Sequence, residues 1–234
     1  MLEVCVDTIK SAELAEEFGA ERIELCSALE LGGVTPSGPL ISAVRRTIQL
    51  PLIVLIRCRA GNFQFDPEEH ELMLQEAKQA FLQGADGIAI GGLTHSQDLD
   101  LPFLRSIANA FRGRQLVMHR AFDQVREPYV ALEQLIEIGF ARILTSGGTN
   151  LAIDSLASIR QLVQRSQNRI EILPAGGITD ENALEILELT GVNQLHGSFR
   201  NPSLQYRIDP NSIARAKRIL SSHQQLGHDA SCNH

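Results

Sequence analysis

Near the start of the chain, Glu3-Val4-Cys5 and Glu24-Leu25-Cys26 each place a thiol two residues beyond a carboxylate. Residues two apart on a strand share one face, so each pair projects to the same side. Thiolates are soft ligands that suit Cu(I) or Zn(II), and two sulfurs suffice for a low-coordinate Cu(I), which makes Cys5 and Cys26 candidate metal ligands. They have a second reading, because free cysteine often only fills buried space. A second group suits acid–base chemistry on a small anionic, possibly phosphorylated metabolite. His119 is its general acid/base, Asp123 or Glu24 would orient it, Asp7 adds a further carboxylate, and Arg57 and Arg59 can hold an anion. Two glycine-rich loops, at Ser146-Gly147-Gly148 and Gly176-Gly177, can bring backbone N–H groups to a phosphate or serve as plain turns. His196 joins this anion-binding set.

A repeated unit must position these residues. Gly-led turns run into short strands at Gly19 to Cys26, Gly84 to Ile90, Gly139 to Thr145 and Gly191 to His196. Between them lie strands over Leu2 to Val6, Leu52 to Ile56, Gln115 to His119 and Arg169 to Leu173. Eight strands alternating with helical stretches predict a single (β/α)8 TIM-like barrel, whose functional groups collect at the C-terminal ends of the strands. Helices cover the outside, so the apolar residues of the first two strands face outward. Glu3, Cys5, Asp7, Arg22, Glu24 and Cys26 then point inward, with Gln194 and His196 on strand eight and the two arginines at the mouth. A structural reading of the same set is a buried network in which Arg22 and Arg57 neutralise Glu3 and Glu24.

Helix starts are marked by Thr35-Pro36, Asp66-Pro67-Glu68-Glu69 (a helix through about Gln83), Glu127-Pro128, Thr179-Asp180 and Asp209-Pro210. The barrel domain is expected over 1–220. The polar stretch 221–234 is expected to be a flexible tail, whose His223, His228, Cys232 and His234 can capture metal only adventitiously. Among 234 residues, 44% are hydrophobic and 21% charged, which suits a globular protein with a sizeable core. A net charge of −7 without a basic stripe argues against nucleic acid. Leu50 to Ile56 is far too short to cross a bilayer, and Glu3 and Asp7 in the first strand argue against a signal peptide. A cytoplasmic protein is expected, its four scattered cysteines kept as thiols.

Taken in order, several segments resemble the motifs of the CutC family of copper homeostasis proteins. They are Leu2-Glu3-Val4-Cys5-Val6-Asp7, Arg22-Ile23-Glu24-Leu25-Cys26, Gly32 to Ser37, Ile56 to Phe63, His119 to Asp123, Arg142 to Gly148 and Gly176-Gly177-Ile178. The resemblance reaches to about Arg200. It implies a TIM-like barrel, a cytoplasmic location, a homo-oligomer (dimer or tetramer), and copper binding or trafficking with Cys5 and Cys26 as the Cu(I) ligands. The chain departs from the pattern at Cys58, where the family usually has Pro, and at Asn62, where it usually has Asp. The segment His196-Gly197-Ser198-Phe199-Arg200 is also a variant of the family's His-x-Ser-Ala-Arg.

Overall fold

Gly19 and Gly84 end helices with left-handed backbone, at φ of 107° and 101°, a conformation that glycine adopts without a Cβ penalty. Two residues later, Glu21 and Asp86 turn back and accept the N–H of Leu2 and Leu52 at 2.9 and 2.8 Å. The repeated Gly-Ala-acid segment therefore both stops a helix and caps the neighbouring strand.

The computed structural model describes residues 1–201, 203–204 and 208–231. Eight strands alternate with eight helices: β1 (Leu2–Val6), α1 (Ile9–Glu17), β2 (Arg22–Leu25), α2 (Gly38–Thr47), β3 (Leu52–Leu55), α3 (Pro67–Leu82), β4 (Gly87–Ile90), α4 (Leu101–Ala110), β5 (Gln115–Met118), α5 (Pro128–Ile138), β6 (Arg142–Thr145), α6 (Leu156–Ser166), β7 (Glu171–Pro174), α7 (Ala183–Thr190), β8 (Leu195–Gly197) and α8 (Pro210–Ser231). The strands form a single parallel sheet in the order β7-β6-β5-β4-β3-β2-β1-β8, with register fixed by pairs such as Glu3↔Arg22, Cys5↔Glu24 and Glu3↔His196. The end strands β7 and β8 meet, but no backbone ladder joins them among the described residues. The expected (β/α)8 barrel is thus present and nearly closed. No described helix is long and apolar enough to cross a membrane.

Strand parity divides the interior as the alternation predicts. Leu2, Val4, Val6, Ile23 and Leu25 pack outward with the helices. The inward set is mixed: Cys5 and Cys26 join Ile53, Leu55, Ala89, Val117, Leu144 and Leu173 in a separate inner cluster, while buried Arg142 donates to Glu171 and Gln115 at 2.5 and 2.6 Å on the β5–β7 side.

Several element boundaries differ from the sequence expectations. Asp66 caps α3 with a reciprocal Glu69 bond, as expected. In contrast, Ser37 caps α2 and Asn182 precedes α7. Thr35 instead accepts the Arg57 N–H at 2.8 Å and donates to Glu76 at 2.6 Å, which ties it to the barrel mouth. β7 starts two residues late because Gln167 and Asn168 take left-handed backbone, at φ of 49° and 59°, and prolong the turn after α6. The chain also stays helical beyond Ser221, where a loose tail was expected. The helix begun at Pro210 runs on to Ser231, and Gln224 donates to the Asn193 carbonyl at 3.1 Å. Cys232, His234 and the side chain of His228 lie outside the described residues.

Candidate functional site

The β1–β2 register sets the inner ends of the two cysteines together: Cys5 Sγ and Cys26 Sγ are 3.8 Å apart, and both residues are buried. One step along the same faces, Arg22 pairs with Glu3 and donates to Gln194 Oε1 at 3.0 Å. His196 on β8 joins the two carboxylates, with Nδ1 at 2.7 Å from Glu3 and Nε2 at 3.3 Å from Glu24. Ligand atoms of Cys5, Glu24 and His196 all lie within 4.8 Å of one another. The network differs from the one expected, because His196 supplies the second positive partner and Arg57 takes no part.

This arrangement orders the protons. Burial pushes Glu3 upward, but Arg22 and His196 outweigh it and hold its carboxyl at about 2. Burial also raises Glu24, and the neighbouring Glu3 adds to it; the attraction of His196 offsets only part, leaving Glu24 at about 7. His196 is lowered by burial but raised on balance by Glu24 and Glu3. The hydrogen bond to Cys26, burial and the nearby carboxylates push the Cys5 thiol well above its ordinary value. Cys5 is therefore a thiol at neutral pH, and a bound metal must displace its proton. The donors fit a soft ion at the two sulfurs, with Glu24 and His196 alongside and Glu3 orienting His196 from behind.

Cys5, Cys26, Glu24 and His196 form one wall of a cavity of about 320 Å³ at the C-terminal end of the barrel, which Arg57, His119, Gly176, Gly177 and Arg200 also line. His119 directly follows β5. Its Nδ1 accepts the Ala121 N–H at 3.2 Å, and its Nε2 has no partner among the described residues. Burial, reinforced by Arg57, lowers its pKa to about 3. Gly91 makes room for the ring, since a Cβ there would lie 2.7 Å from His119 Cε1.

Other expected site residues have different surroundings. Asp123 does not orient His119; it accepts from Thr145 Oγ1 at 2.6 Å, Ser146 N at 2.9 Å and Arg120 Nε at 2.9 Å. The Ser146 loop thus already holds an anion, the protein's own Asp123 carboxylate. Gly147 and Gly148 line a separate cleft of about 90 Å³. Arg59 is held off the cavity by Glu69 and the Gln64 carbonyl (2.7 Å). Asp7 stands 3.8 Å from Arg200 and outside the cavity lining. Neither Asp123 nor Glu24 bonds to His119 among the described residues.

The mouth also brings in Arg120, which is not among the candidate residues read from the sequence. It reaches Ser146 Oγ at 3.0 Å and the Thr149 and Asn150 carbonyls at 3.2 Å. Its position directly after His119, at the end of an inward-reading strand, is the feature that could have placed it. Packing at the thiols is close. Gly33 has φ of 84°, and a Cβ there would lie 2.6 Å from Leu55 Cδ2 and 3.4 Å from Cys26 Cβ. Gly113, at φ of 79°, has open space. Both alanine variants share the backbone cost of about 1–2 kcal/mol, so Gly33→Ala should cost about 1–3 kcal/mol more than Gly113→Ala in urea unfolding. Equal costs would show that the thiol pocket is loosely packed.

Residues 1–201 match the model of the CutC family. The copper homeostasis protein cutC homolog of Homo sapiens is 42% identical over 201 residues, covering 86% of this chain and 74% of the human protein. A family protein CutC from Pasteurella multocida is 43% identical over 195 residues, covering 83% of this chain and 80% of its own. A crystal structure of CutC from Streptococcus agalactiae superposes with a TM-score of 0.81 at 32% identity, covering 85% of this chain and 98% of that one. Thiamine phosphate pyrophosphorylase from Pyrococcus furiosus, at a TM-score of 0.64 and 16% identity over 95% of this chain and 96% of that one, shares the fold alone.

Proposed function

This chain belongs to the CutC family, and on that footing we propose that it serves copper homeostasis by taking up Cu(I), as cargo, on the paired thiols of Cys5 and Cys26. The observation that carries this reading is the 3.8 Å approach of the two sulfurs beneath a single cavity. Soft thiolates select Cu(I) over the hard divalent ions. Glu24, at about 7, stands close enough to accept a proton that metal binding releases, and loss of the His196 proton would free its imidazole to add a ligand. Action in the cytoplasm, where thiols remain reduced, belongs to the same proposal.

A titration of the reduced protein with Cu(I) against a competing chelator tests it. About one Cu(I) per chain should bind to the parent and to a Cys232→Ser variant. Cys5→Ser/Cys26→Ser should lose at least about 100-fold in affinity, more than the 10–100-fold typical of removing a supporting residue. Uptake that survives loss of both cysteines, or that vanishes with Cys232, overturns the assignment.

A further inference from the structure

Among the described residues, Arg57 is a buried cation without a counter-ion. It is 5% exposed, and no described carboxylate pairs with it. Burial and the nearby Arg59 both act against its charge. Three backbone carbonyls solvate the guanidinium: Leu31 and Gly33 accept from Nη1 at 3.4 and 3.1 Å, and Gly61 from Nη2 at 2.6 Å. A guanidinium carries five N–H groups. The Nε–H and one Nη2 hydrogen are left over, and Nε has no partner among the described residues. Those are the two atoms with which arginine grips a carboxylate side-on.

His119 stands beside it, 4% exposed, with its ring 5.0 Å from that of Phe63 and the Arg57 guanidinium 4.6 Å from the same ring. Because Nδ1 accepts the Ala121 N–H, the neutral ring carries its proton on Nε2, and that N–H has no acceptor either. Two adjacent buried side chains on one cavity wall therefore hold hydrogen-bond donors with no acceptor among the described residues, an arrangement that is costly unless something fills it. Of the three arginines in the cavity lining, Arg120 and Arg200 stand against Asp123 and Asp7, and Arg57 alone has no described carboxylate beside it, so the unmatched charge lies on this wall.

We propose that the Arg57–His119 wall is a binding subsite for the carboxylate group of a small organic acid, held so that the rest of the molecule extends toward the thiol, Glu24 and His196 wall. A phosphate ester fits less well. The loop after β6, with its N–H and hydroxyl donors, is already taken by Asp123, and the Thr179 N–H ahead of α7 is capped by Asn182. The subsite does not depend on copper, because neither residue belongs to the thiol cluster.

The test is a titration of the full-length, metal-free, reduced protein with acetate, the smallest carboxylate, followed by NMR of ¹⁵N,¹³C-labelled histidine rings. His119→Gln identifies the His119 signals. Acetate should shift them saturably, at least about tenfold more tightly than acetamide, the neutral isostere, since a charge-assisted hydrogen bond is roughly twice as strong as a neutral one. Arg57→Gln should weaken the response by a similar factor, and Arg59→Gln, whose guanidinium is engaged by Glu69, should leave it unchanged. Should Arg57→Gln fail to fold, the acetate and acetamide arms on the parent decide alone. No saturable shift at His119, or equal responses to acetate and acetamide, overturns the subsite. So does a response that survives in folded Arg57→Gln, which would mark an adventitious anion, or a response to inorganic phosphate but not to acetate.

Discussion

Replacing Glu24 with glutamine should turn a flat pH–stability profile into a slope, with about 3 kcal/mol lost between pH 7 and pH 4. Two buried groups act in opposite directions over that range. His119 falls from an ordinary 6.5 to about 3 in the folded protein, so the unfolded chain takes up its proton first. The stability it contributes is complete above pH 6.5 and drains away as the pH falls toward 3. Glu24 rises from 4.5 to about 7, so here the folded state takes up the proton first, and stability grows as the pH falls from 7 to 4.5. In the parent the two changes nearly cancel. Below pH 4.5 Glu24 has no more to add, while His119 and then Glu3, held at about 2, both lose stability, so acid unfolding should set in steeply there. Glutamine keeps the neutral form of Glu24 at every pH and exposes the His119 slope. His119→Gln should do the reverse, gaining stability on acidification from pH 7 to 4.5. Urea midpoints across this range, with the m-value checked for constancy, provide the measurement. Identical profiles for parent and Glu24→Gln would mean that Glu24 titrates as an exposed carboxylate.

That opposition was only half visible in the sequence. Alternation in Leu2 to Asp7 and Arg22 to Cys26 announced which side chains enter the barrel, because a strand buried on both faces and still carrying Glu, Arg and Cys has nowhere else to put them. The Gly-led repeat supplied the strand count, and Asp66-Pro67 and Asp209-Pro210 marked helix starts through local geometry alone. What failed was the pairing of groups far apart in the chain. His196 lies 193 residues from Glu3, and the β8–β1 register that brings them together is a consequence of near-closure of the barrel. Without that register Arg57 looked like the natural partner for Glu24. Its distance from the network follows from the loops of Leu31, Gly33 and Gly61, whose carbonyls claim the guanidinium. The Ser146-Gly147-Gly148 loop misled for a related reason. Composition shows that a loop can bind an anion, but not that Asp123, on the preceding loop, already fills it.

Arg22→Met should cost about 3–5 kcal/mol, enough to bring a domain of ordinary stability near its unfolding threshold. Arg22 and Glu3 are 3% and 1% exposed, so neither charge can return to water when its partner is lost. Removal of the guanidinium strips Glu3 of its principal partner and leaves Gln194 Oε1 without its donor. The His196 imidazole must then serve Glu3 and Glu24 by itself. The cost should arise from the stranded carboxylate more than from lost attraction, since replacing a whole buried ion pair with neutral groups is often tolerated. Adding Glu3→Gln to Arg22→Met should therefore recover about 1–2 kcal/mol, a coupling that a double-mutant cycle in urea reads directly. A single-variant cost below about 1 kcal/mol, or strict additivity, would mean that water or a rearranged His196 already compensates Glu3. Because Arg22 does not touch either sulfur, Cu(I) stoichiometry in the folded fraction should stay that of the parent. Loss of copper uptake in well-folded Arg22→Met would instead make the Glu3–His196 pair the element that orients the metal site.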